Sequence, residues 1–191
     1  MNVFALIPAV LTVAFAASAL PAAAQQKLLP AQSSIAFEIK QMGVPVQGHF
    51  KKFDAQVNFD AAKLAASKVT FSVDIASATL GAPEMDAELP KATWFDTAKF
   101  PQARFTSTAF KALGAGKYEV AGKLAIKGQS RDVTVPLAMS QNGATTTATG
   151  VLPIKRLSFR IGEGDWADTS MLADDVQVRF KLDLTGIPKL P

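Results

Sequence analysis

The feature that most constrains this chain is an alternation of apolar and other residues with a period of two, which recurs along most of its length. Ile35, Phe37 and Ile39, for example, are separated by single small or charged residues. Because successive side chains of a β-strand point to opposite faces of the sheet, this pattern predicts strands with one buried face. It predicts eight of them, at residues 33–40, 44–59, 67–79, 103–110, 117–127, 131–139, 144–154 and 175–184.

Short turns connect most of these strands, and little helix is expected between them. Gly114-Ala115-Gly116 and Gln141-Asn142-Gly143 are typical of hairpin turns. One short helix is expected after the third strand, where Pro83 opens an acidic segment that Pro90 ends. In the second strand the apolar residues change from even to odd numbers, which requires a bulge or bend near 48–51. We therefore predict an all-β fold, and strands of this length favour an eight-stranded antiparallel up-and-down barrel over a sandwich.

Residues 1–24 differ from the rest of the chain because they carry no charged side chain. Their apolar run ends in Ala22-Ala23-Ala24, a small-residue pattern that signal peptidase accepts. The alternative is an uncleaved membrane anchor, since the run is nearly long enough to span a bilayer. Pro8, Pro21 and the lack of a flanking basic cluster favour cleavage. We therefore expect a secretory signal peptide at 1–24 and a single domain at 25–191.

The composition removes most catalytic and metal-binding chemistry. The 191 residues include no cysteine and a single histidine. This excludes disulfides, thiolate metal sites, cysteine nucleophiles and histidine clusters. A Ser-His-Asp arrangement would need His49, but no G-x-S-x-G motif accompanies it, and we interpret His49 as a surface or hydrogen-bonded side chain. We predict that the protein is not an enzyme and has no catalytic residue, metal site or cofactor.

Calcium and nucleic acid are also not predicted as ligands. The acidic residues at 163–168 and 174–175 lack the spacing of a calcium-binding loop. The net charge is only +4, and the basic pairs Lys51-Lys52 and Lys155-Arg156 do not form a stripe.

Three segments have a characteristic order and spacing. Residues 94–105 contain the pattern F-D-x-x-x-F-P-x-x-x-F, preceded by G-H-F-K-K-F at 48–53 and followed by Y-E-V-A-G-K-L-A-I-K-G at 118–128. Together they resemble the YceI-like family of periplasmic polyisoprenoid-binding proteins, and the likeness covers about residues 28–185. The resemblance implies a periplasmic, lipocalin-like eight-stranded barrel that holds an isoprenoid chain in its bore and catalyses no known reaction.

The chain also departs from the family pattern. Residues 40–43 and 85–89 lack the histidines that many members have there, and R-L-S-F-R at 156–160 replaces the common R-x-D-F-G. The loop at 162–168 resembles that of a subgroup with the pattern G-E-G-x-W-A-D. Because of these substitutions, the resemblance does not imply a particular head group for the lipid.

The aromatic composition favours an apolar bore. The chain has 13 phenylalanines but one tyrosine and two tryptophans, which supplies bulky apolar surface with few polar groups. The alternative is that these rings fill the barrel completely. We predict a tunnel lined by Phe37, Ile39, Val46, Phe53, Phe71, Val73, Phe95, Phe105, Leu124 and Phe180. The residues predicted at its mouth, or against a head group, are Trp94, Lys155, Arg156, Arg160 and Trp166.

Three functional hypotheses follow. The first is binding, with carriage or sequestration, of a long-chain isoprenoid lipid such as a prenyl quinone or a polyprenyl phosphate, with transient contact to a membrane surface or membrane protein. The second is an accessory partner of a membrane electron-transfer system. The third, less favoured, is a lipid-modifying enzyme, which would depend on His49. The sequence does not define the oligomeric state.

Overall fold

One antiparallel sheet of eleven strand segments dominates the computed structural model, which describes residues 25–191. The predicted signal peptide lies outside the described residues. The segments are Lys27–Leu28 (β1), Ser34–Gln41 (β2), Val44–Phe50 (β3), Phe53–Asn58 (β4), Lys68–Asp74 (β5), Ala78–Thr79 (β6), Gln102–Gly114 (β7), Lys117–Ile126 (β8), Gln129–Asn142 (β9), Thr145–Lys155 (β10) and Leu172–Thr185 (β11). The short helix α1, Pro83–Asp86, begins at the expected proline. In the described residues no helix is both long and apolar enough to cross a membrane.

The sheet closes because β3 and β4 are two halves of one strand that bends at Lys51 and Lys52. Strand β3 pairs with β2, whereas β4 pairs with β5. The strand order β4-β5-β7-β8-β9-β10-β11-β2-β3 therefore begins and ends on the same stretch of chain. Counted this way, eight long strands form the barrel, and the prediction of an all-β lipocalin-like barrel is confirmed.

The bend falls at the end of the region in which the sequence required one. Two backbone amides point away from the barrel ladder there: the Lys51 N–H donates to the Ser77 carbonyl at 3.1 Å, and the Lys52 N–H donates to Ser77 Oγ at 2.9 Å. Ser77 lies in a short 3₁₀ turn, Ile75–Ser77, that divides the predicted third strand into β5 and β6. The turn thus satisfies the polar groups that the bend releases.

One end of the barrel, here called the closed end, is packed with apolar side chains. Its buried cluster consists of Leu28, Phe59, Tyr118, Leu184 and Ile187. The Phe59 and Tyr118 rings meet edge to face at a centroid distance of 5.4 Å, a favoured aromatic geometry. This packing seals the end from which the chain enters and leaves the sheet.

The opposite end, here called the loop end, is covered by longer connections. Residues 80–101, which include α1, join β6 to β7, and residues 156–171 join β10 to β11. A second buried cluster lies beneath them and consists of Ile75, Ala103, Ile126, Phe159 and Ile161. The longest connections of the fold are therefore gathered over one end of the barrel.

Candidate functional site

An apolar cavity of about 500 Å³ occupies the interior of the barrel, a size within the range of about 300–1,000 Å³ that is typical of ligand pockets. Its strand-borne wall consists of inward-facing apolar side chains from the eight long strands: Ile35, Phe37, Ile39, Val46, Phe50, Val69, Phe71, Val73, Ala103, Phe105, Phe110, Val120, Leu124, Ile126, Val135, Leu137, Leu152, Ile154, Leu172, Val176, Val178, Phe180 and Leu182. The barrel is therefore partly hollow rather than completely filled by its own rings.

The polar groups of the wall are few and lie at one end. Among the described lining residues, the charged or amide side chains are Gln41, Glu88 and Arg156. Gln41 ends β2, Glu88 follows α1 and Arg156 follows β10, so all three lie at the loop end. The cavity thus has an apolar body and a polar margin on one side only.

The structure places nine of the ten predicted tunnel residues in this wall: Phe37, Ile39, Val46, Phe71, Val73, Phe95, Phe105, Leu124 and Phe180. The tenth predicted residue, Phe53, does not line the cavity. Its side chain packs against the closed-end cluster, and its ring stacks on Phe71 with centroids 5.9 Å apart. Whether these side chains bind a ligand stays a prediction.

Trp94 and Trp166 lie together at the loop end and both line the cavity. Their ring centroids are 5.3 Å apart. The backbone beside them is also joined, because the Thr93 carbonyl accepts hydrogen bonds from Gly162 N at 2.9 Å and from Glu163 N at 3.0 Å. The two long connections therefore meet over the cavity through one aromatic contact and two hydrogen bonds.

Arg156 has a structural role that the sequence did not indicate. Its side chain is 1% exposed, and all five guanidinium N–H groups are used. They donate to the backbone carbonyls of Ile161, Gly162, Trp166, Leu172 and Ala173 at 2.5–2.9 Å. Burial lowers the pKa of Arg156 from its ordinary value, but a guanidinium stays protonated in proteins. Arg156 therefore lies in the cavity wall at the loop end, and none of its N–H groups is left unused for a head group.

The other two basic residues predicted at the mouth lie on the outer surface. Lys155 pairs with Asp175 at 2.7 Å, and Arg160 pairs with Glu163 at 2.9 Å. The Asp175 carboxylate raises the pKa of Lys155 above its usual value. Both side chains are more than half exposed, so the structure does not bring them together with Trp94 and Trp166 at the cavity.

A buried lysine in the β8–β9 turn was missed by sequence reasoning. Lys127 is 8% exposed, and its Nζ donates to the Arg160 carbonyl at 2.5 Å and to Glu163 Oε2 at 3.1 Å. Hydrogen bonds from Arg160 and Lys127 hold the pKa of the Glu163 carboxyl below its usual range. Lys127 thus ties the β8–β9 turn to the connection at 156–171.

The segment that carries α1 also contributes cavity residues that sequence reasoning missed, namely Leu80, Met85, Glu88 and Leu89. Asp86 fixes this segment: its carboxylate accepts from Thr79 Oγ1 at 2.5 Å and from Leu80 N at 2.6 Å. These two hydrogen bonds lower the pKa of Asp86. The proline and acidic residues located the helix, but they carry no signal for the direction in which it faces.

The residues considered for catalysis or metal binding do not converge on the cavity. His49 is exposed on β3, opposite Ala36 on one side and Thr79 on the other. Within residues 25–191, no three side chains of His, Cys, Asp or Glu are grouped as metal ligands.

Comparisons with known proteins identify relatives of similar size and fold. A UPF0312 protein of Vibrio cholerae is 33% identical over 130 residues, which cover 68% of each chain. The crystal structure of Burkholderia cenocepacia BcnA superposes with a TM-score of 0.79 at 47% identity, over 82% of this chain and 98% of that one.

A polyisoprenoid binding domain from Saccharophagus degradans has a TM-score of 0.69 at 15% identity, over 84% of this chain and 98% of that domain. This last likeness shows the fold alone. The model of the YceI-like domain matches residues 27–184, which is nearly all of the barrel. The chain therefore belongs to the YceI-like family.

Proposed function

We propose that this protein binds a long-chain isoprenoid lipid in the barrel cavity. The observation that carries the proposal is the cavity itself, about 500 Å³ in volume and apolar except at its loop-end margin. The shared fold with a domain described as polyisoprenoid binding supports the same ligand class. A hollow apolar bore is costly to keep in water unless a hydrocarbon fills it, because its wall lacks contact partners.

The energetics favour retention of such a lipid. Transfer of hydrocarbon from water contributes about 0.8 kcal/mol per CH₂, so a chain of about twenty carbons gains roughly 16 kcal/mol before costs. Loss of translational and conformational freedom offsets about 4–15 kcal/mol of this gain. The balance supports a complex that survives purification.

The distribution of polar groups defines an orientation for the lipid. The closed end is packed by the cluster around Phe59 and Tyr118, whereas Gln41 and Glu88 lie at the loop end. The hydrocarbon chain therefore points towards the closed end, and the head group lies beneath Trp94 and Trp166.

The same margin favours an uncharged head group. Arg156 is the one cation among the described lining residues, and its five donors are already used by backbone carbonyls. The Glu88 carboxylate already pairs with Lys91, so a phosphate would compete with Glu88 for that cation and would find no free N–H on Arg156. A prenyl quinone or another neutral isoprenoid fits this margin better than a polyprenyl phosphate. With the expected signal peptide, the protein would carry or sequester this lipid in the periplasm.

Lipid extraction tests the proposal. The full chain, expressed in a Gram-negative host and purified without detergent, is extracted with organic solvent and analysed by mass spectrometry. We expect a stoichiometric neutral prenyl lipid. A preparation with no lipid, or with a straight-chain lipid in its place, would contradict the proposal.

A matched pair of variants locates the lipid. Leu152 lines the cavity, and its neighbour Val151 is 38% exposed on the outer face of β10. Leu152→Trp is expected to displace most of the lipid, whereas Val151→Trp should retain it. Equal retention in both folded variants would place the lipid outside the barrel.

A further inference from the structure

Three glycines on inward-facing positions of the barrel are each covered by a phenylalanine of the neighbouring strand. The three glycine–phenylalanine pairs are Gly48 with Phe37, Gly122 with Phe105, and Gly150 with Phe180. At each glycine, an added Cβ would lie within 3.0 Å of ring atoms of the partner phenylalanine. The rings therefore occupy the space in which a side chain of the neighbouring strand would otherwise stand.

This arrangement determines the direction in which the phenylalanine rings extend. Phe37 lies directly opposite Gly48 in the β2–β3 ladder, and Phe180 lies directly opposite Gly150 in the β10–β11 ladder. A ring whose tip reaches over the adjacent backbone extends sideways along the wall instead of towards the barrel axis. Glycine in a strand permits such a close approach because it has no Cβ. The pairs thus reconcile a phenylalanine-rich interior with an open bore.

The pairs are also distributed around the barrel. They occupy the strand pairs β2–β3, β7–β8 and β10–β11. In the strand order, β5 separates the first two of these strand pairs, and β9 separates the second from the third. Six of the eight long strands therefore carry a member of a pair, and the rings act on the bore from several sides.

We infer that the three glycine–phenylalanine pairs set the width of the bore and thereby select the cross-section of the bound chain. This inference rests on the proposed function and refines it. A methyl-branched isoprenoid chain is wider than a straight alkyl chain, so it is admitted only while the rings stay against the wall. Gly48, Gly122 and Gly150 are then specificity-determining residues, although none of them has a side chain to offer a ligand.

The test compares two alcohols with the same number of carbons, branched geranylgeraniol and its straight-chain counterpart, by native mass spectrometry or fluorescence competition on delipidated protein. In Gly150→Ala the new methyl group displaces the Phe180 ring into the bore. The affinity for geranylgeraniol is expected to fall about tenfold more than that for the straight alcohol, the scale of one misplaced methylene in an apolar pocket. Thr149→Ala, at the exposed position next to Gly150, serves as the control and should leave the ratio of the affinities for the two alcohols unchanged.

A double-mutant cycle separates the ring from the backbone. A Cβ on Gly150 also meets the Pro136 carbonyl oxygen at 2.5 Å, so Gly150→Ala has a stability cost of its own. That backbone contact is the same whether residue 180 is Phe or Leu, and the cycle of Gly150→Ala with Phe180→Leu cancels it. The double variant is expected to recover the affinity for geranylgeraniol that Gly150→Ala loses.

The outcomes distinguish the inference from the proposed function. If the wild-type protein binds neither alcohol, the proposed function fails and the inference fails with it. If the wild-type protein binds both alcohols and folded Gly150→Ala weakens them equally, only the inference is overturned. Should Gly150→Ala not fold, the variants Phe180→Leu and Phe105→Leu, which retain the glycines, test the inference instead. The inference requires the ratio of the affinity for geranylgeraniol to that for the straight-chain alcohol to rise in these variants. An unchanged ratio overturns it.

Discussion

The two ends of this barrel are held together by different kinds of interaction. At the closed end, four buried apolar residues pack around Phe59, and the side-chain amide of Gln26 is bonded to both the N–H and the carbonyl of Phe59. At the loop end, buried or half-buried charges hold the long connections through Arg156, Lys127 and Asp86. The closed end is thus an ordinary apolar core, whereas the loop end depends on polar contacts to backbone groups.

This difference implies that the stability of the fold and the access of lipid to the cavity depend on different ends of the barrel. Apolar packing is lost only with a large part of the fold, because each side chain contacts many others. Hydrogen bonds that fix a connection are lost one at a time when that connection moves into water. We therefore expect changes at the closed end to alter the free energy of unfolding, and changes at the loop end to alter exchange of the bound lipid.

The largest effect is expected from Phe59→Ala at the closed end. Phe59 is 3% exposed, and truncation of a buried phenylalanine costs about 3–5 kcal/mol of the free energy of unfolding. Urea unfolding followed by circular dichroism measures this loss. Since Phe59 lies outside the cavity wall, the folded fraction should bind lipid as the wild type does. Phe59→Leu, the control, should lower the free energy of unfolding clearly less. A large loss of lipid affinity in folded Phe59→Ala would contradict the expectation that the closed end governs stability and not lipid binding.

Arg156→Leu removes the side chain that makes five hydrogen bonds at the loop end. The substitution leaves five backbone carbonyls without their donor. Because the connection at 156–171 can open to water, we expect a loss of about 2–3 kcal/mol rather than the sum of five bonds. Hydrogen exchange should rise mainly at residues 160–172.

Arg156→Lys is the matched test of geometry. It keeps the charge but lacks the planar fork of donors, so it should behave nearly like Arg156→Leu. If Arg156→Lys were as stable as the wild type, the positive charge, and not the five hydrogen bonds, would hold the connection at 156–171.

The same contrast explains what could be predicted from the sequence. Alternation decides which side chains of a strand face inwards, so Phe37, Phe105 and Phe180 could be assigned to the cavity from their positions alone. Phe53 also lies on the inward face of its strand, but it packs against Phe71 and the closed-end cluster and does not line the cavity, a distinction that alternation alone does not make. The fold follows from patterns that lie within a few residues of one another.

The loop end follows no such local pattern. The acceptors of Arg156 are backbone carbonyls, which every residue carries, so their convergence on one guanidinium leaves no trace in residue types. The burial of Lys127 likewise depends on a connection more than thirty residues away. Trp94 and Trp166 were recognised only as candidates for a mouth, and their contact is a product of the tertiary fold.

Trp94→Ala is expected to accelerate lipid exchange with a smaller effect on stability. The contact between the two indole rings is worth about 0.5–1.5 kcal/mol, which corresponds to at most about a tenfold change in the dissociation rate. Stopped-flow transfer of a fluorescent isoprenoid to vesicles measures that rate. Trp166→Ala should act in the same way, and the double variant should add little, since both remove one contact. Additive effects would show that the two rings act on separate openings.

The smallest effect is expected from acid at the loop end. Hydrogen bonds from Thr79 Oγ1 and Leu80 N lower the pKa of Asp86 below the ordinary value of 3.8. A lowered folded-state pKa means that the carboxylate stabilises the folded segment above the ordinary pKa, and that this contribution is lost as the pH falls through the lower folded value. Glu163 and Asp168 are shifted in the same direction.

Acidification from pH 5 towards 2 should therefore loosen the connections at 80–101 and 156–171. Exchange of the Leu80 amide proton, followed by nuclear magnetic resonance across this range, reports the loss of the Asp86 contact. In Asp86→Asn the side chain no longer titrates, so the Leu80 amide should exchange faster at neutral pH and lose most of its added acid dependence. An unaltered acid profile in Asp86→Asn would assign the loosening to Glu163 and Asp168, and with them to the connection at 156–171 rather than to the segment that carries α1.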